Sequence, residues 1–241
     1  MSDALFLGPL GAADIGDQVE LTGDEARHAV AVKRTEPGES ILISDGAGRA
    51  VRGRVVLAEK QRLVIEVTEV LAQPPRGHRL VVVQALAKGE RAERAVEIMT
   101  ELGADEIIAW QASRSIVRWQ GERGEKSLAR WAATAREATK QSRRLRVPEL
   151  GFATTKEVAA RIAAADGALI LHEEATCWLR EAELPARGEV LLVVGPEGGI
   201  SPEELEVFEA AGGRPTLISD GVLRTSTAGA AALAQLAVLL G

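Results

Sequence analysis

Val190-Leu191-Leu192-Val193-Val194-Gly195-Pro196-Glu197-Gly198-Gly199-Ile200-Ser201-Pro202-Glu203-Glu204 is the stretch on which the fold turns. Val190 to Val194 is short and wholly apolar, which reads as a buried, parallel strand. Ser201-Pro202-Glu203-Glu204 reads as a helix start: Ser201 caps, Pro202 fits the first helical position and Glu204 completes a capping box. The glycine loop between them therefore lies at a strand's C-terminal end and a helix N-terminus, where open α/β sheets bind ligands. Its Gly-x-x-Gly-Gly spacing is not the dinucleotide fingerprint, and no Gly-Lys-Ser/Thr follows. Glu197, inside the loop, would repel a phosphate, so a nucleoside-like ligand without phosphates, or one with a positive centre, fits better. The same glycines also serve a tight turn that needs positive φ, and both readings stand.

A second loop lies downstream: Ser219-Asp220-Gly221-Val222-Leu223-Arg224-Thr225-Ser226-Thr227, running straight into an apolar helix from Ala228 to Leu240. The hydroxyls of Thr225, Ser226 and Thr227 are expected to cap that helix. Arg224 at its N-terminus opposes the helix dipole. A residue set against local preference is a candidate functional residue; the alternative is a side chain pointing away into solvent.

Working outward, the chain has 241 residues, 46% hydrophobic and 27% charged, with formal net charge -6 and pI about 5.3. That composition is globular and excludes a basic nucleic-acid coat, so RNA contact must come from local patches. The single cysteine, Cys177, excludes an internal disulfide and a Cys-rich zinc site and fits a reducing cytoplasm. The start Met1-Ser2-Asp3 lacks the order of a signal peptide, and the Ala228–Leu240 run is too short for a membrane span.

Residues 1–72 read as a small antiparallel barrel. Thr22-Gly23-Asp24-Glu25 suggests a capping box for a short helix carrying His28, Val30 and Val32, and strands are expected at Ser40 to Ser44, Arg49 to Leu57 and Leu63 to Val70, with glycine turns between. Ala72-Gln73-Pro74-Pro75-Arg76-Gly77-His78 reads as a linker. Residues 73–241 then alternate strand and helix: strands at Leu80 to Ala85, Asp105 to Trp110 and Ala168 to Leu171, helices at Glu90 to Leu102, Ser127 to Arg144 and from Thr154. That rhythm predicts a parallel sheet with helices on both faces.

The long helix places Arg136, Lys140, Arg143 and Arg144 at helical spacing on one face. This is a phosphate-binding stripe or a solvated face with cations favoured near the C-terminus. Arg114 and Arg118 form a second basic group. Trp119 and Trp131 could stack on bases, though a Trp is more often core. His172 with Glu173 and Glu174 lacks the second His a metal would need, so it is expected to line a ligand pocket. No Gly-x-Ser-x-Gly elbow occurs, and hydrolase chemistry is unsupported.

Val194 to Ser201, together with Val222-Leu223-Arg224-Thr225-Ser226-Thr227-Ala228, closely resembles the bacterial 16S ribosomal RNA uridine-N3 methyltransferases, the RsmE family of the SPOUT or α/β-knot superfamily. Glu101-Leu102-Gly103, Ser113-Arg114-Ser115, Lys140 to Arg144 and Val147-Pro148 fall in the family's order. The likeness covers the whole chain, and the paired motifs are specific where either alone would be weak. It implies an α/β fold with a trefoil-knotted parallel sheet after a PUA-like RNA-binding barrel. It implies S-adenosylmethionine, without metal, held by three loops: Leu171-His172-Glu173, then Gly195, Pro196, Glu197, Gly198, Gly199 and Ile200, then Ile218 to Thr225 with Val222, Leu223 and Thr225 in contact. It further implies a homodimer acting on 16S rRNA, within the 30S subunit. Departures from the pattern are Ile218-Ser219 for a Leu-Gly pair, Ser226 for a Glu, and no Arg from Met1 to Leu7; they bear on adenine contacts and one RNA contact.

Uridine N3 must lose its proton to attack a methyl sulfonium, and a cation near O2 or O4 would stabilise the anion. Arg224 is the catalytic candidate, with Arg114 and Arg144 as RNA-positioning residues or alternates. Arg114, Arg136, Lys140, Arg143 and Arg144 are the RNA-binding candidates. The competing reading is a non-catalytic RNA-binding assembly factor that keeps the fold.

Overall fold

Leu80, Val82, Val190, Leu192 and Val194 face one apolar cluster, while Val81, Val83, Leu191 and Val193 face another. This alternation on two adjacent strands shows why the runs carry no polar positions: both faces of the sheet are covered. The computed structural model describes residues 3–74, 76–89 and 91–240; Met1, Ser2, Pro75, Glu90 and Gly241 lie outside the described residues, and with them one proline of the expected linker and the expected first residue of the helix from 90.

The chain forms two compact units, Met1–Pro75 with Thr139–Val147, and Arg76–Ala138 with Pro148–Gly241. The first contains β1 (Ala4–Leu7), β2 (Gln18–Thr22), α1 (Gly23–Arg27), β3 (Ser40–Ser44), β4 (Arg49–Glu59) and β5 (Arg62–Ala72). Its sheet has the order β1-β3-β4-β5-β2. The expected antiparallel barrel needs correction in one respect: β1 runs parallel to β3, while the other pairs of this curled sheet are antiparallel. Phe6, Leu21, Ile41, Ile43, Leu63 and Ile65 fill its core.

The capping box at Thr22 is absent. Thr22 is extended and makes no side-chain cap bond, and Gly23 takes φ +64°. Glu25, the residue that should reach back, instead accepts from the Leu7 amide at 3.4 Å and pairs with Lys140 at 3.1 Å. The turn carrying His28 to Val32 is π-helical.

The second unit contains β6 (His78–Ala85), α2 (Arg91–Glu101), β7 (Glu106–Trp110), α3 (Gly121–Ser142, its last turn in the first unit), β8 (Glu149–Ala153), α4 (Thr155–Ala164), β9 (Gly167–Leu171), β10 (Gly188–Val194), α5 (Pro202–Ala210), β11 (Arg214–Thr216) and α6 (Thr225–Leu239). Its six strands are all parallel, in the order β11-β9-β10-β6-β7-β8. Met99 of α2, Trp131 of α3 and Leu233 of α6 pack on one face; Val158 of α4 and Phe208 of α5 pack on the other. Trp131 is therefore core, set edge-on to Trp119 at 5.2 Å between ring centroids.

After β11 the chain is clasped between two earlier segments. Leu217 donates its amide to Cys177 and accepts from Leu179, both at 2.8 Å. Thr225 then donates its hydroxyl to the Gly195 carbonyl at 2.7 Å. The last stretch thus bonds both to the segment after β9 and to the loop after β10. Gly229 lets α6 approach closely: a Cβ there would stand 2.8 Å from Met99 Sδ.

Candidate active site

β9, β10 and β11 are neighbours in the sheet, so the loops leaving their C-terminal ends open side by side. They enclose a cavity of about 290 Å³. Leu171 and Glu173 enter it from the first loop, Gly195, Pro196, Glu197, Gly199 and Ile200 from the second, and Val222, Leu223, Arg224 and Thr225 from the third. An adjoining cavity of about 130 Å³ shares Leu171, Glu173, Val222 and Leu223 and adds His172 and Ile218, with Ser219, Asp220 and Gly221 beside them. The structure thus brings the predicted loop residues together with one exception. Gly198 lies under Arg114: its carbonyl accepts from Arg114 Nη1 at 3.2 Å, and a Cβ on it would stand 3.3 Å from Arg114 Cβ.

Gly199, at φ +74°, donates its amide to the Pro196 carbonyl at 2.9 Å, so the glycines do serve the expected tight turn. The predicted cap follows: Ser201 Oγ accepts from the Glu204 amide, and the Glu204 carboxylate accepts from the Ser201 amide. Glu204 is buried and does more. It also accepts from Ser113 N and Oγ, both at 2.8 Å, and from Thr155 Oγ1 at 2.9 Å. One carboxylate so ties the loops after β7, β8 and β10 together, and fixes the loop that carries Arg114. Glu203 is held below the usual carboxylate range by its own amide and the Ser201 hydroxyl, with the Arg114 charge adding to the effect.

The hydroxyls expected to cap α6 do not. Its N-cap is Arg224, without a side-chain cap bond, and the Thr225 hydroxyl is spent on Gly195. Gln84 Nε2 donates to Thr225 Oγ1 at 3.0 Å, which anchors this junction in the core. Glu197 Oε1 accepts the Lys88 amide at 3.4 Å, bracing the glycine loop against the segment after β6. His172 Nδ1 accepts the Glu174 amide at 3.2 Å. Among the described residues, no three His, Cys, Asp or Glu side chains gather as a metal site.

The basic stripe on α3 needs correction. The helix ends at Ser142, so Arg143 and Arg144 lie beyond it. Arg143 takes φ +55°; its amide bonds the Lys140 carbonyl and the Arg144 amide bonds the Thr139 carbonyl, at 3.3 and 3.1 Å. That is a Schellman ending, with arginine in the left-handed position where glycine is usual. Lys140 is not on an open face either: its side chain is 5% exposed, with Nζ on Glu25. Arg136 and Arg143 are exposed and Arg144 is half-buried.

One cavity residue escaped sequence reasoning. Arg91, the first described residue of α2, lines the cavity of about 290 Å³, as Arg224 does. In sequence it reads only as a charge at a helix start, and no motif marks it.

Residues 21–68 match the family described as RNA methyltransferase PUA domain, and residues 74–237 the family described as RNA methyltransferase domain. The ribosomal RNA small subunit methyltransferase E of Mycobacterium bovis is 43% identical over 231 residues, covering 94% of this chain and 88% of that protein. The Bacillus subtilis protein of the same name is 29% identical, covering 86% and 85%. A crystal structure of the Neisseria gonorrhoeae protein of that name, bound to S-adenosyl methionine, superposes with a TM-score of 0.89 at 28% identity, covering 99% and 98%. With sequence and fold in agreement along nearly its whole length, the chain belongs to the ribosomal RNA small subunit methyltransferase E family.

Proposed function

We propose that the chain methylates N3 of a uridine in 16S ribosomal RNA, with S-adenosylmethionine as donor. The observation that carries this is the cavity at the ends of β9, β10 and β11, lined by three loops of matching sequence. The similar protein of Neisseria gonorrhoeae, crystallised with S-adenosyl methionine, supports the choice of donor. The lining suits that molecule. Leu171, Ile200, Val222 and Leu223 offer apolar walls for a nucleoside, and Glu173 and Glu197 bring carboxylates toward a positive centre while disfavouring phosphate. Bound S-adenosylmethionine supplies an electrophilic methyl group.

The chain's own part is positioning and charge. The three loops fix the donor site, and positioning supplies much of the rate of an in-line displacement. Arg224 holds the negative charge that builds on uracil O2 or O4 as N3 gives up its proton. Arg136, Arg143 and Arg144 provide phosphate contacts, with Arg114 above the glycine loop as a further RNA contact. The working form is a homodimer acting on the 30S subunit in the cytoplasm; among the described residues no helix is long and apolar enough to cross a membrane.

Calorimetry in the presence of chelator should show S-adenosylmethionine binding, and mass spectrometry of 16S rRNA from a strain lacking the gene should show one methyl group lost from a uridine. No heat of binding, or rRNA of unchanged mass, overturns the proposal.

A further inference from the structure

Arg91 belongs to two spaces at once. It lines the larger cavity with Arg224, and it lines an open groove of about 530 Å³ formed by α2, α3 and α6. No other residue is common to the two linings. The remaining charges of the groove are matched. Arg94 pairs with Glu97 at 2.8 Å, and Glu93 pairs with Arg130 at 3.4 Å. Arg91 has no ion-pair or hydrogen-bond partner among the described residues for its side chain, and it is exposed. Thr134 and Ser226 add hydroxyls to the same groove. The groove thus carries two paired carboxylates, Glu93 and Glu97, and Arg91 is its one cation without a partner among the described residues, on the residue that also lines the cavity.

We infer that Arg91 is an RNA-phosphate subsite, binding the phosphate next to the nucleotide whose base enters the cavity. The inference rests on the preceding reading, that the base methylated is in RNA. A base taken into a pocket brings its own backbone with it, and the flanking phosphate then has to lie at the pocket's mouth. A guanidinium there meets it with paired donors and needs no deprotonation. A contact to the donor's carboxylate would call for Arg91 in the cavity alone; its second face on the groove is what a strand arriving from outside requires.

The test uses Arg91→Ala and Arg91→Lys in the full chain, with 30S subunits from a strain lacking the gene as substrate. Arg91→Ala should raise KM for the subunit while kcat holds, the pattern of lost uniform binding. Its log–log salt slope for binding 16S rRNA should be shallower by about 0.7, the value of one phosphate on a single strand. Arg91→Lys keeps the point charge and should restore the slope, and S-adenosylmethionine affinity by calorimetry should be the same in all three proteins. An unchanged slope and KM overturn the inference. So does weaker S-adenosylmethionine binding with an unchanged slope, which would assign Arg91 to the donor, or a change in oligomeric mass, which would assign it to a subunit contact. Absence of methyl transfer by the unaltered chain overturns the broader reading, and this one with it.

Discussion

Arg224 stands at the N-cap of α6, where the helix dipole opposes its charge, and its side chain has no partner among the described residues. Its backbone carbonyl accepts from the Thr227 and Ala228 amides, a role that survives truncation of the side chain. Arg224→Ala should therefore leave the fold as stable, or more stable by roughly 0.3–1 kcal/mol. Loss of one charge-stabilising donor should lower kcat by about 10²–10³, with the rate still climbing at higher pH as the uridine ionises unaided. A lower melting temperature together with weaker S-adenosylmethionine binding would show instead that Arg224 braces its loop. Arg224 and the glycine loop were legible in the sequence because their oddity is local: a cation at a helix start, a carboxylate among glycines. Lys140 was not. Helical spacing put it on a phosphate-binding face, and only the fold shows Glu25 taking its charge. Arg91 was hidden for a related reason, since its distinction lies in two spaces that distant segments create.

At the scale of elements, helix starts were read well where the cap is self-contained. The expected box of Ser201 with Glu204 forms, and the helix expected from Thr154 begins there with a box to Glu157. The box at Thr22 failed because its glutamate is claimed by another part of the chain. Helix ends were harder, since the glycine signal is missing where Arg143 closes α3. A left-handed arginine costs about 1–2 kcal/mol, and such strain persists where the surroundings impose it. Here Ser44 Oγ and the Gly48 amide both hold the Leu145 carbonyl, and the Val147 amide bonds Gly46. Arg143→Gly should raise stability by up to about 1 kcal/mol in urea unfolding, while Arg143→Ala keeps the strain and should not. Both should weaken RNA binding alike. A glycine variant less stable than the alanine one would show that strain is not what the arginine imposes. The short strands β1, β2, β8 and β11 left too few residues for a periodic signal, and they form because neighbouring strands offer an edge.

Over the whole chain, the doubly covered sheet followed from apolar runs of the right length, whereas the strand order could not, because nothing local says which strands become neighbours. α6 carries no charge, and Ala234, Ala237 and Val238 on its outer side are exposed, Val238 at 82%. The proposed homodimer would cover that side with a second copy. Light scattering should give a dimer at low micromolar concentration, and Val238→Glu should shift it toward monomer; a monomer with full activity would count against the dimer. The bond from Thr225 to Gly195 has a consequence in time. The ribosome makes the glycine loop before it makes the helix that holds it. Until α6 has docked, Gly195 lacks its hydroxyl partner, the third wall of the cavity does not exist, and Arg224 has no fixed place. If the proposed donor site is right, a chain truncated before Thr225 should bind S-adenosylmethionine weakly or not at all, and an unfinished copy would not compete for donor with finished ones.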